Sequence, residues 1–272
     1  MAKLFIYGGS VLLLIIIFGS IYAVRYSNLF KIKNISVDGV QNISSDELVG
    51  NLKSFFIDRS KIAGFLGDDN ILAWGGGEDD FLTKHPQFES LNIKKHYFGK
   101  EINIDVKERE KFGIWCFKAR KTRADGGAGA ENEQLQNDTE RINEWCGWFD
   151  KNGIIFSDAP VIETEILNKV NDLSDRSINM GDKALSDGFM GNLLAIFSVL
   201  ERANINTKTL YLKDFALAEV ETAPVDASPK IYFSLKFDPE FSLAAINALK
   251  KSGEWKKINY VDFRVENRVY YK

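Results

Sequence analysis

The chain has 272 residues, 45% of them hydrophobic and 12% aromatic, enough for one large core or two modest ones; this excludes a disordered protein. Its 35 basic and 38 acidic residues leave a net charge of -3, which offers no basic footprint for a phosphate backbone, so nucleic acid is excluded as an expected partner. Two cysteines and two histidines narrow metal and general-base chemistry from the start.

The first predicted element follows a three-residue tail, 1–3. "LFIYGGSVLLLIIIFGSIYAV", Leu4 to Val24, carries no charge over about the 20 residues that a helix needs to span a bilayer, and reads as a transmembrane helix over 4–24. A cleaved signal peptide fits less well. Its apolar core is usually ~7 to 15 residues long, and here Tyr22 and Arg25 flank Ala23 while Ile21 spoils a small-x-small site. Charge does not fix the orientation, since Lys3 stands on one side and Arg25, Lys31 and Lys33 on the other.

Residues 29–110 read as an α+β unit ordered strand, helix, short helix, strand, strand. Ile35 and Val37 alternate with polar neighbours until Gly39, and Ser44 with Glu47 makes a capping box before Leu48, Val49 and Leu52. The short helical piece ends before Pro86, and two strands are joined near Gly99. In the second of them Ile102, Ile104 and Val106 alternate with Asn103, Asp105 and Lys107, giving one buried face and one wet face.

Residues 111–272 turn to strands. "KFGIWCF" and "WCGWFDKNGIIF" flank a charged, Gly/Ala-bearing insertion at about 118–143, expected to be a flexible loop, and Asp150 to Gly153 is a turn signal. A hairpin would set Cys116 opposite Cys146 within disulfide reach. Two buried free thiols are the alternative, and a metal site lacks further Cys or His ligands. A helix over Gly188 to Ala203 shows a broad apolar stripe of core type through Phe189, Leu193, Phe197 and Leu200. Two strands then surround a turn at Pro224 to Pro229. Asp238 as N-cap and Pro239 at the first helical position open a helix to about Lys251, and "INYVDFRVENRVYYK" closes the chain as a strand or strand pair.

The residues offer no catalytic constellation. His85 and His96 lie among strand formers without a Ser, Cys or Asp arrangement to serve them, and neither catalytic nor metal-binding residues are assigned. "WGGGEDD" at Trp74 to Asp80 lacks the Lys-Ser/Thr of a phosphate loop and the spaced glycines of a dinucleotide fingerprint, and reads as a flexible surface loop. "GDDN" at Gly67 to Asn70 does not match a calcium loop. No cofactor is expected, and the chain is read as no enzyme.

The order of "FKIKNISVDGVQNISSDELV", "HPQFESLNIKKHYFGKEINIDVKERE", "WFDKNGIIF" and "INYVDFRVENRVYYK" after a single anchor resembles the FtsQ/DivIB family of bacterial cell-division proteins, with "VDGV" and "VDFR" the most telling stretches. The resemblance covers nearly the whole chain by order of elements. The three-residue tail, the cysteine pair and the insertion depart from the family pattern. The resemblance implies an α+β chain of one transmembrane helix, a POTRA-like βααββ domain and a larger mixed β-domain with two covering helices.

It further implies a non-enzymatic, membrane-anchored divisome scaffold linking septal wall-synthesis proteins. It would sit in the cell inner (cytoplasmic) membrane at the septum, N-terminus in the cytoplasm and bulk outside. FtsB-like and FtsL-like proteins would be its partners, with other divisome members at the POTRA-like domain. Partner binding is expected at the closing strand, Val265 to Tyr271, through Val265, Asn267, Arg268, Val269, Tyr270 and Tyr271. An exposed edge there offers unpaired main-chain groups, with Val269 and Tyr271 facing opposite to Arg268 and Tyr270. An interior strand that merely closes the β-domain is the alternative at that position. A POTRA-containing export or assembly component and a membrane-anchored wall enzyme are the other functional readings. A barrel-bearing relative is excluded by length, because only about 160 residues follow the first unit.

Overall fold

The computed structural model describes residues 2–119, 143–161, 166–174, 176–222 and 228–272, with side chains from Leu12 to Phe117 and from Trp145 onward within those ranges. The chain divides into two units, Met1–Arg109 and Glu110–Lys272. Most of the insertion at about 118–143, expected as a flexible loop, and most of the Pro224 to Pro229 turn lie outside the described residues.

In the first unit, β1 (Asn34–Asp38) leads to three helices, α2 (Ser45–Arg59), α3 (Lys61–Leu66) and α4 (Glu78–Lys84), and then to β2 (Phe88–His96) and β3 (Glu101–Glu108). The strand order is β1-β3-β2, with β1 parallel and β2 antiparallel to β3. One more short helix is present than the expected βααββ order. The Ser44 hydroxyl accepts from the Glu47 amide at 3.2 Å and starts α2, and Ser60 repeats the device for α3 with Ala63 at 3.0 Å. Leu48, Leu52 and Phe56 of α2, Phe81 of α4, Trp74, and Ile102, Ile104 and Val106 of β3 form one core. Gly39 lets the chain leave β1, since a Cβ on it would stand 1.8 Å from the Val106 carbonyl oxygen.

The "WGGGEDD" stretch differs from the expected flexible loop. Trp74 is buried, its indole donates to the Asp68 carbonyl at 3.0 Å, and Lys95 donates to the Trp74 carbonyl at 2.6 Å. Gly75, Gly76 and Gly77 all take positive φ and turn the chain into α4. In "GDDN", Asp69 faces Arg25 and Lys31 and Asp68 faces Lys53, so these carboxylates are occupied by cations of the chain itself.

Past Gly39, Glu108 at the end of β3 collects the amides of Gln41, Asn42 and Ile43 and the Asn42 side chain, at 2.6 to 3.4 Å. Partial burial opposes its ionisation, but these donors outweigh it and hold the carboxyl below its ordinary value. A depressed folded-state value means that the stabilisation is complete above the ordinary carboxylate range and is lost as pH falls through the folded-state value. Acid unfolding of the first unit followed by circular dichroism should therefore be less steep in Glu108→Gln than in the parent chain. Parallel profiles would remove Glu108 from the acid response.

The expectation of a transmembrane helix over 4–24 is corrected. The first helix, α1, runs Ala2–Tyr26, yet among the described residues no helix is long and apolar enough to cross a membrane. Its last turn is committed to the first unit: Val24 packs against that core, the Val24 carbonyl accepts from the Asn70 side-chain Nδ2 at 2.8 Å, and Arg25 approaches Asp69 at 3.8 Å. Single-pass insertion in the cytoplasmic membrane, and contact with a membrane through one helix, are therefore not supported.

The fold class is corrected as well: the described residues form a mixed α/β chain of six helices and twelve strands, not an α+β chain with a membrane span. The reason lies in the second unit, whose strands are β4 (Gly113–Ala119), β5 (Asn143–Phe149), β6 (Ile155–Asp158), β7 (Asn168–Asp172), β8 (Thr209–Leu212), β9 (Glu219–Thr222), β10 (Lys230–Ser234), β11 (Tyr260–Phe263) and β12 (Tyr270–Tyr271). They make one sheet ordered β12-β11-β10-β9-β8-β7-β4-β5-β6. Helix α5 (Asp187–Arg202) connects the parallel pair β7 and β8, and α6 (Phe241–Ser252) connects the parallel pair β10 and β11. These are β-α-β crossovers, in which each helix links two neighbouring parallel strands instead of merely covering the sheet.

Side-chain alternation divides the sheet. Trp115, Phe117, Val170, Leu210, Leu212, Val220, Phe233 and Phe263 share the core with Leu193, Ile196 and Leu200 of α5 and Ile246 of α6. Strand pairing sets a second row on the opposite face: Cys146, Cys116, Asn171, Tyr211, Glu221, Tyr232, Asp262 and Tyr270. Cys116 and Cys146 are bridged across β4 and β5, with Cα atoms 4.0 Å apart.

Candidate functional site

The sheet ends at β12, so the site is built from β11 outward. Asp262 accepts from the Arg264 amide at 2.9 Å and from its guanidinium at 2.9 and 2.6 Å. The same guanidinium donates to Glu219 of β9 at 2.9 Å and lies 4.9 Å from the centre of the Tyr232 ring. Burial opposes ionisation of Asp262, but the Arg264 bonds outweigh it and leave the carboxyl below its ordinary value. Arg264 thus ties the start of the last turn to two strands of the sheet.

The chain then reverses. Val265 to Arg268 forms the turn, closed by the Arg268 amide on the Val265 carbonyl at 3.1 Å, with Asn267 at φ 56. The expected single strand from Val265 to Tyr271 is therefore a turn followed by a two-residue strand. Asn tolerates the left-handed conformation that breaks the run, and that conformation carries no strand pairing.

After the turn, Tyr271 pairs with Val261 and Tyr270 with Asp262, antiparallel. Lys272 exchanges main-chain bonds with Tyr260 in both directions at 3.3 Å. Because antiparallel ladders alternate, Tyr270 and Lys272 direct their main-chain groups toward β11, and Val269 and Tyr271 direct theirs outward. That outer row has no strand beside it among the described residues.

Side chains divide differently from the backbone. Val269 packs against the core. Tyr270, 47% exposed, stands on the Asp262 face, where its hydroxyl bonds to Arg268 and raises the guanidinium further above its ordinary value. Tyr271 is 51% exposed beside Val261, and Val265 is 46% exposed at the turn. The structure gathers the six residues expected for partner binding at one end of one sheet, with Val269 as the anchor.

Sequence reasoning missed the polar floor beside this edge. Glu221 is almost fully buried between Lys213 and Lys230, at 2.9 and 2.8 Å. Burial opposes its ionisation and the two lysines outweigh it, so the carboxyl is held low. With Tyr211, Tyr232 and Arg264, Glu221 lines a cavity of about 260 Å³ on the open face. The signal was available only as isolated polar residues inside strand patterns.

The two histidines take structural positions. His85 stacks on Phe81 at 4.2 Å, and burial together with Lys84 lowers its value. His96 pairs with Glu101 at the end of β2. Among the described residues no group of three or more His, Cys, Asp or Glu converges to hold a metal ion. Compared with models of known protein families and with curated proteins, the chain matches none.

Proposed function

We propose that the chain is a non-enzymatic docking scaffold of the FtsQ/DivIB type, serving cell division, whose second unit receives a partner segment as an added strand along β12. FtsB-like and FtsL-like proteins are the partners that the resemblance implies. The observation that carries the docking is the outward main-chain row at Val269 and Tyr271, flanked by two half-exposed tyrosines and held by the Arg264 lock. A strand added there gains main-chain hydrogen bonds, while alternate side chains meet Tyr270 and Tyr271 and set specificity.

The test blocks the edge without removing it. Tyr271→Pro deletes the one outward N–H of β12 proper and leaves the inward bonds of Tyr270 and Lys272 in place. Binding of FtsB-like and FtsL-like proteins to the full chain should weaken tenfold or more, about 1.4 kcal/mol or above, with the circular dichroism spectrum unchanged. Tyr270→Phe, which keeps both the backbone and the ring, should bind within about threefold of the parent. Undiminished binding by Tyr271→Pro would move the docking site away from β12, and no binding by the parent chain would overturn the reading.

A further inference from the structure

A second concave site lies in the same unit on the helix side of the sheet, away from β12. The C-terminal end of α5 stops in a Schellman turn: the Ile205 amide donates to the Leu200 carbonyl and the Asn204 amide to the Glu201 carbonyl, both at 2.9 Å, with Asn204 at φ 51. Lys250 of α6 adds bonds to the Ala203 and Asn204 carbonyls at 2.6 and 3.2 Å. The segment from Ala203 to Lys208 is thereby fixed as one wall of a cleft of about 460 Å³, a volume within the usual range for small-ligand sites.

The lining is of two kinds. The half-buried Phe112 supplies an aromatic ring, backed edge to face by the buried Phe197 with ring centres 6.0 Å apart. Asn168, Asn204 and Asn206 supply amides around the rim, and Glu201 and Lys208 stand there as one acid and one base. We infer that this cleft binds a neutral oligosaccharide.

Each feature selects that chemistry over its rivals. A side-chain amide offers a donor and an acceptor in one plane, which matches a pair of neighbouring hydroxyls, themselves both donors and acceptors. An aromatic face carries partial negative charge and accepts the positively polarised C–H face of a sugar ring. An anion such as phosphate is disfavoured because the lining holds one acid, Glu201, for its one base, Lys208, and so carries no net positive charge. A peptide strand finds no edge here: β7 is flanked by β4 and β8, and β8 by β7 and β9.

The experiment uses the full chain, with maltotetraose and chitotetraose as probes and inorganic phosphate and triglycine as counter-probes, read by calorimetry and saturation-transfer NMR. At least one of the two sugars should bind saturably in the millimolar range or tighter. Asn206→Ala and Glu201→Gln, both at exposed positions, should weaken that sugar about tenfold each, the loss of roughly one to two well-made hydrogen bonds. Tyr271→Pro should bind the sugar as the parent does, which separates this site from the β12 edge. The inference is overturned if neither sugar binds by about 10 mM, if both rim variants bind like the parent, or if phosphate or triglycine displaces the sugar.

Discussion

Asp172→Ala should destabilise the second unit by about 3 to 5 kcal/mol, because it breaks a buried charge cluster from one side only. The Asp172 side chain has no exposed surface, and it accepts from the Trp115 indole at 3.1 Å, the Ser174 amide at 3.0 Å, the Ser174 hydroxyl, and the Arg176 guanidinium at 2.8 and 2.6 Å. Arg176 is sandwiched between aromatic rings, 4.2 Å from Phe215 and 5.7 Å from Trp115, and also donates to the Ala184 carbonyl. Its cation would remain in place with its counter-charge gone, and the indole N–H would lose its acceptor inside the core. Asp172→Asn keeps an acceptor for the indole while losing the charge pair, so its cost should fall between those of the parent and Asp172→Ala. Denaturant unfolding of the full chain measures both; a loss under about 1 kcal/mol for Asp172→Ala would mean that solvent reaches Arg176 freely.

Breaking the disulfide should have the next largest effect. Cys116 and Cys146 are separated by 30 residues, and a closed loop of that length constrains the unfolded chain by about 3.5 kcal/mol. At roughly 2 to 4 °C per kcal/mol for a unit of this size, the double variant Cys116→Ser/Cys146→Ser should melt about 7 to 14 °C below the oxidised parent. Reductant added to the parent should reproduce that shift, and added to the double variant should change nothing. The two sulfurs lie with Ile114 in a small apolar cluster on the face opposite the main core, so the substitution leaves the α5 and α6 packing in place. A shift below about 2 °C would mean that β4 and β5 stay paired in the unfolded state without the bridge.

Local signals were the legible part of this chain. Ser44 before α2, the stripe of α5, the alternation in β3 and the turn at Asp150, whose carboxylate accepts from Asn152 and Ile154 at 2.9 Å, are all written within a few neighbouring residues. Asp238 and Pro239 were legible only in kind. Asp238 accepts from the Glu240 amide in a turn, and α6 begins later, at Phe241. The parallel crossovers were not legible, because β7 was not read as a strand, β10 read as an ordinary short strand, and their partners lie a helix away. A closing strand was legible, and β12 forms there as two residues after a turn, but the Arg264 to Glu219 contact beside it spans 45 residues and leaves no periodic trace. The apolar start misled because its closing turn serves the first unit through Val24 and Arg25, a commitment invisible in hydropathy.

The place of β4 in the sheet has a consequence for biosynthesis. Its two neighbours are β5 on one side and β7 on the other, and β7 follows both β4 and β5 in the chain. On a ribosome adding ~5 to 20 residues per second, the stretch from Ala119 to Asn168 takes on the order of 2 to 10 s to emerge. Throughout that interval the nascent β4 presents Ile114, Trp115 and Phe117 along an unpaired flank, a template for illicit pairing with other nascent chains. The segment most in need of a chaperone is therefore an interior strand of the finished sheet, hidden once translation has passed β7.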